Sequence, residues 1–135
     1  MSQPTKTEVV AVRAEQDIVS VRQKVRQWAV ELKFSLVDQT KMITAASELA
    51  RNLWIYGRGG EVTLTRVISG TRSGLRVDFS DRGPGIADIN EALRDGFTSG
   101  NGMGLGLGGA KRLVNEFEIE SQPGQGTRVS ITRWK

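Results

Sequence analysis

The chain has 135 residues, 38% of them hydrophobic and 25% charged, an ordinary globular balance that sets aside disorder and leads us to expect one domain, residues 1–135. It has no cysteine and no histidine, which excludes disulfide frameworks, thiolate or imidazole metal sites, His-based triads and any phosphohistidine formed on the chain itself. No apolar run is long enough to span a bilayer, so no membrane partner and a cytoplasmic location are expected.

Residues 8–14 are rich in β-branched side chains and read as an edge strand. From about Asp17 to Leu32, Ile18, Val21, Val25, Trp28, Ala29 and Leu32 recur at helical spacing and define one apolar face. Arg22, Lys24 and Arg26 lie among them. With a net charge of +4 they raise the question of nucleic acid. The basic residues are scattered, however, and no aromatics interleave with them to stack bases, so no direct nucleic-acid binding is expected. A second helix begins near Ser35, where Ser35 and Asp38 have the spacing of a capping box. It buries Met42, Ile43, Ala46, Leu49, Ala50 and Leu53 and stops before Gly57-Arg58-Gly59-Gly60.

The period then changes. Val62, Leu64 and Arg66 alternate with Thr63, Thr65 and Val67, and after a turn over Ser69–Gly74 the residues Leu75, Val77 and Phe79 form the buried side of a second strand. A short helix is expected from about Asp88 to Arg94, and a glycine-rich segment, Gly96 to Gly109, leads into a helix opening with Ala110-Lys111-Arg112 and running through Leu113 and Val114. Glu118–Ser121 and Thr127–Trp134 close the chain as a hairpin around Pro123-Gly124-Gln125-Gly126. The expected class is α+β: a two-layer sandwich with helices on one face of a mixed, largely antiparallel sheet.

Three separated features carry chemistry. Glu48 and Asn52 are four apart on the second helix and share a face with Thr44, a polar stripe that fits either a solvated surface or a site. Asp81 ends a buried strand and is followed by Gly83 and Gly85; this is either a plain turn or a carboxylate that accepts from an exocyclic amine while glycines let a ligand approach the backbone. The third is Ser99–Gly109, where alternating glycines before a helix expose N–H groups to an anion. Met103, Leu105 and Leu107 between the glycines look like anchors, which a merely flexible loop does not need. The segment lacks P-loop spacing, and its GxGxxG from Gly104 has no Rossmann unit around it.

In this order, Glu48–Asn52, Asp81-x-Gly83-x-Gly85, Gly102–Gly106 and Gly126-Thr127 resemble the motif set of the GHKL ATPases, and the likeness runs from about Glu15 to Lys135. That resemblance implies the Bergerat fold. Within the superfamily, SELARN (47–52), DRGPGIADI (81–89), DGFTSG (95–100), GAKRL (109–113), NEFEIES (115–121) and the terminal Trp-Lys are similar to the switch-protein serine/threonine kinases of bacterial stressosomes. The chain departs from them at Gly108, where proline is expected, and near Asn101, where the loop is about one residue longer.

The resemblance implies ATP and Mg²⁺ as cofactors and assigns roles by position. Asn52 would hold the Mg²⁺. Asp81 would accept from the adenine amine, with Thr127 supporting the base, and Gly83, Gly85 and Ile86 would also bind the nucleotide. Gly102, Gly104 and Gly106 would cradle the phosphates, and Glu48 would be the general base. It further implies phosphorylation of serine or threonine on STAS-domain partners and activation of a PP2C-type phosphatase by binding. The alternatives are an anti-sigma factor kinase that sequesters a sigma factor, a nucleotide-dependent partner switch without turnover, and a detached histidine-kinase catalytic domain whose partner would supply the histidine.

Overall fold

The computed structural model describes residues 6–85 and 106–135. Strands β1 (Thr7–Val12), β2 (Gly60–Ser69), β3 (Arg72–Ser80), β4 (Glu116–Ser121) and β5 (Thr127–Trp134) form one sheet in the order β1-β2-β3-β5-β4. Every ladder among the described residues is antiparallel. Helices α1 (Asp17–Glu31), α2 (Leu36–Ile55) and α3 (Gly106–Arg112) complete the described elements. The expected short helix at Asp88–Arg94 lies outside the described residues.

The layering follows from strand alternation. Val62 and Leu64 of β2, Leu75, Val77 and Phe79 of β3, and Val129 and Ile131 of β5 are buried on one face. They form a single core with Val21, Val25, Trp28 and Ala29 of α1 and with Met42, Ala45, Ala46, Leu49, Ala50 and Leu53 of α2. Each such large aliphatic side chain contributes about 1.5–3 kcal/mol by leaving water, so this face of the sheet is where the stability resides. Ile18, Leu32 and Ile43 are only partly buried, at the margin of that core. The alternate residues of β3 and β5 are polar: Asp78 pairs with Arg76 and accepts from Ser130 on the face away from the core.

Local chemistry sets the element ends. Asp17 opens α1, its carboxylate accepting from the Arg13 and Ala14 N–H groups. At α2 only half of the expected box forms: Ser35 Oγ accepts from the Asp38 N–H at 3.1 Å. The Asp38 carboxylate turns instead to Arg133 of β5, whose Nη2 lies 2.5 Å away. Arg133 also donates through Nη1 to the Leu113 carbonyl at 2.8 Å, tying α2, β5 and the exit of α3 together. The edge strand β1 is held to α1 by Trp28, whose indole N–H donates to Glu8 at 2.8 Å. Hydrogen bonds from Lys24 first and Trp28 second hold the Glu8 carboxyl below its usual range.

Strand β1 is Thr7–Val12 rather than 8–14, β4 opens at Glu116 rather than Glu118, and two further boundaries differ from expectation. The β2–β3 turn is tighter than Ser69–Gly74: Ser69 pairs directly with Arg72, and Gly70 takes a φ of 62°. The helix after the glycine segment opens at Gly106 and ends at Arg112, so it begins earlier than Ala110 and does not reach Leu113 or Val114. The reason is packing. Leu107 and Ala110, three apart on one helix face, are buried in the core. That gain outweighs the low helix propensity of Gly106, Gly108 and Gly109.

Candidate functional site

The row of core residues on each of three strands ends, at one edge of the sheet, in a polar residue. Continuing the two-residue period of Leu75, Val77 and Phe79 gives Asp81. Running Ile131 and Val129 backwards gives Thr127, and extending Phe117 and Ile119 gives Ser121. Because the period is strict, these three side chains are set toward the helix side of the sheet, just past the apolar core.

Asp81 is the hub. Its N–H donates to the Thr127 carbonyl at 3.0 Å, continuing the β3–β5 ladder by one step. Its carboxylate Oδ1 accepts from the Gly83 N–H at 2.8 Å and from the Thr127 N–H at 3.2 Å. Two backbone donors thus fix the side chain with Oδ1 fully used. Oδ2 has no donor among the described residues and is turned toward Gly57, just past α2. A carboxylate held this way keeps one acceptor oxygen of fixed position beside the end of α2.

Glycines permit the approach of three segments around it. A Cβ built on Gly57 would overlap Asp81 Oδ2 and lie 2.5 Å from Cγ. Gly83 stands over Gly57, a Cβ there lying 2.9 Å from the Gly57 Cα, and Gly85 packs against the Gln122 carbonyl. Pro84 O accepts from Gly124 N at 2.7 Å, joining the Asp81–Gly85 loop to the β4–β5 turn. Gly126, at φ 84°, brings that turn under Asp81, where any side chain would overlap its carbonyl and lie 2.9 Å from Arg82 Cα.

From α2, Asn52 and Glu48 come one turn apart on the same face with Thr44, all half-buried. The Asn52 carbonyl accepts from Tyr56 N at 2.9 Å and Gly57 N at 3.2 Å, so the backbone contact with Asp81 begins one turn beyond Asn52. Neither the Asn52 amide nor the Glu48 carboxylate has a hydrogen-bond or ion-pair partner among the described residues. Both polar groups are available to a ligand.

Of the sequence-expected site residues, Asp81, Gly83, Gly85 and Thr127 are brought together, and Glu48 and Asn52 share the facing helix. Gly106 is the first residue of α3 rather than part of a loop. Ile86, Gly102, Gly104 and the anchors Met103 and Leu105 lie outside the described residues; Leu107 is buried in the core as an anchor should be. Two participants were missed. Gly57 was read only as a helix stop, yet the left-handed residues at that stop are Arg58, at φ 61°, and Gly59, at φ 95°. Gly57 is glycine because of Asp81. Ser121 was read only as a strand end, yet its Oγ lies 2.8 Å from Thr127 Oγ1 and donates to the Gly126 carbonyl at 3.0 Å. For Ser121 the signal was the continued strand period toward one sheet edge, and for Gly57 the local sequence held none beyond the helix stop.

Residues 37–135 match the family of histidine kinase-, DNA gyrase B- and HSP90-like ATPases, and the chain belongs to that family. The chain is 42% identical over 125 residues to a serine/threonine-protein kinase, RsbT, of Bacillus subtilis (strain 168), covering 93% of this chain and 94% of that one. It is 31% identical over 119 residues to an anti-sigma F factor of Thermoanaerobacter sp. (strain X514), covering 84% and 82%. In fold it resembles the crystal structure of the RsbU and RsbW domains of a Mycobacterium tuberculosis protein, with a TM-score of 0.62 at 20% identity, covering 97% of this chain and 32% of that longer one.

Proposed function

We propose that this chain is an ATP-dependent protein serine/threonine kinase that phosphorylates STAS-domain partner proteins. The observation that carries the reading is the Asp81 carboxylate, fixed by the Gly83 and Thr127 N–H groups with Oδ2 turned toward Gly57 and without a donor among the described residues, an acceptor suited to the exocyclic amine of adenine. The 42% likeness to a serine/threonine kinase over most of both chains supports the reaction class.

The donor set fits Mg²⁺. Among the described residues no group of three or more His, Cys, Asp or Glu gathers to form an all-protein cage. The Asn52 amide oxygen, half-buried and without a partner among the described residues, is the kind of single hard ligand Mg²⁺ takes when phosphates and water complete its shell. When bound, the ion would screen phosphate charge. Glu48, one turn before Asn52, would be the base that receives the proton of the attacking hydroxyl. The hydroxyl oxygen bonds to the γ-phosphorus, the bond from that phosphorus to the β–γ bridging oxygen breaks, and ADP leaves. On this reading Gly102, Gly104 and Gly106 line the phosphates, with Gly85 and Ile86 against the base. The whole of residues 1–135 then serves as one cytoplasmic kinase domain.

A protein partner would find a surface on α1. Arg22 and Arg26, with no ion-pair partner among the described residues, lie between the exposed Val19 and Val30. Through such a surface the kinase would bind a PP2C-type phosphatase. The likeness to anti-sigma F factors favours a second reading, in which the same pocket serves a sigma-factor antagonist. Incubation with γ-labelled Mg-ATP and candidate STAS proteins, followed by phosphoamino-acid analysis, tests the proposal. Phosphoserine or phosphothreonine on the partner is expected. Label on histidine, or nucleotide-dependent retention of a sigma factor without transfer to any STAS protein, would overturn it.

A further inference from the structure

Ser121 is used by nothing in the proposed reaction, yet its hydroxyl touches the residue beside the base-binding carboxylate. Its Oγ is 3.0 Å from the Gly126 carbonyl and 2.8 Å from Thr127 Oγ1. A carbonyl only accepts, so the Ser121 proton is directed to Gly126. In the Ser121–Thr127 contact Ser121 Oγ is therefore the acceptor and Thr127 the donor. The Thr127 hydroxyl has spent its one proton inside the protein, and only lone pairs are left on its other side. Thr127 also gives its backbone N–H to Asp81 Oδ1, so its side chain stands next to the carboxylate whose Oδ2 is likewise acceptor-only.

We infer that Ser121 is a specificity-setting positioning residue. By holding the Thr127 proton, it makes Thr127 and Asp81 a pair of acceptors that admits a base with an exocyclic amine and rejects one with a carbonyl in that place. An amine carries two N–H donors, directly or through one water, and satisfies both oxygens; a carbonyl satisfies neither and leaves them desolvated. Gly126, whose carbonyl orients Ser121, is at φ 84° and packs so closely beneath Asp81 that a side chain there would overlap the Asp81 carbonyl. The inference rests on the pocket being a purine nucleotide site, as proposed above.

The test compares ADP with IDP, which differ in the amine-for-carbonyl exchange and the ring proton that follows from it, by calorimetric titration in Mg²⁺ on the full chain. The wild type should prefer ADP by about tenfold or more, the scale of one hydrogen bond gained against one lost. Ser121→Ala frees the Thr127 hydroxyl to rotate and donate, so the ADP:IDP ratio should fall several-fold, with IDP binding gaining. Ser121→Thr, which keeps a hydroxyl, should retain the ratio. A Ser121→Ala protein that loses affinity for both ligands equally, ratio unchanged, reduces Ser121 to a structural bond and overturns the inference. Should that variant not fold, Thr127→Val answers the same question: an unchanged ratio removes the Thr127 hydroxyl from base selection and overturns it too. A wild type that binds neither nucleotide overturns the pocket itself, which separates that failure from this one.

Discussion

The Gly57 Cα faces the Asp81 carboxylate so closely that a methyl group there would lie 2.5 Å from Cγ, although the two residues sit on different elements with the whole β2–β3 hairpin between them. The carboxylate has no room to retreat, because Oδ1 is tied to two backbone N–H groups. Gly57→Ala is therefore expected to swing Asp81 out of register or push the end of α2 away. Overpacking of this kind costs about 1–3 kcal/mol, and ATP affinity should fall by about tenfold or more. Titration calorimetry alongside a thermal melt checks this. A lower Tm with unchanged affinity would make Gly57 a packing residue only.

Asp81→Asn tests the acceptor itself. The amide oxygen can replace Oδ1 beneath Gly83 and Thr127, which leaves an NH₂ where Oδ2 stood, donor facing donor. The fold should survive while Mg-ATP affinity drops by about 1–3 kcal/mol or more. Circular dichroism and calorimetry on the same sample decide it, and wild-type affinity would remove Asp81 from base recognition.

The Asp38–Arg133 pair makes a prediction about stability and pH. The Arg133 hydrogen bonds first, with a smaller contribution from Ser35, hold the Asp38 carboxyl below its usual range. Its side chain is 26% exposed and that of Arg133 14%, so the pair is only partly screened by water. A depressed carboxyl pKa contributes stability that is full above the unfolded-state value of about 4 and is lost as pH falls through the folded value. Asp38→Asn should thus cost about 1–3 kcal/mol at neutral pH, and the gap from wild type should shrink as the pH drops below about 4. Urea melts at several pH values measure it; a gap that does not change with pH would show that charge plays no part.

Most of the fold was legible because its core obeys simple periods: the α1 stripe ending at Ala29 and Leu32, and the β3 alternation of Leu75, Val77 and Phe79, read directly from the residues. The start of α3 was not legible, because glycine propensity argued for loop at Gly106–Gly109 while burial of Leu107 and Ala110 against distant parts of the chain decided for helix. The Asp38 carboxylate was read as part of a local box, and it went to Arg133, a partner 95 residues away that no local pattern announces. At the candidate site, Asp81 and Thr127 carry a motif in the sequence, and the structure sets them side by side. Gly57 and Ser121 act through contacts with those two, and only the assembled sheet edge shows why they are there.

The last prediction separates binding from transfer on α2. Glu48 and Asn52 share one helix face, half-buried and without partners among the described residues, but the proposed roles differ. Glu48→Gln keeps the shape and an acceptor oxygen while removing the base. It should retain Mg-ATP affinity and lose transfer by about 10²–10⁴-fold, the usual scale for a general base. Asn52→Ala takes away the one protein oxygen proposed for Mg²⁺, so it should weaken Mg-ATP much more than nucleotide measured in chelator. Neither change touches the core that Leu49, Ala50 and Leu53 build on the opposite side of the helix, so both variants should melt close to wild type. Measuring affinity with and without Mg²⁺, and the rate of phosphorylation of a STAS partner, places each variant. A Glu48→Gln protein that phosphorylates at the normal rate would move the base to the protein substrate. An Asn52→Ala protein with unchanged Mg²⁺ dependence would move the metal ligand elsewhere in the pocket.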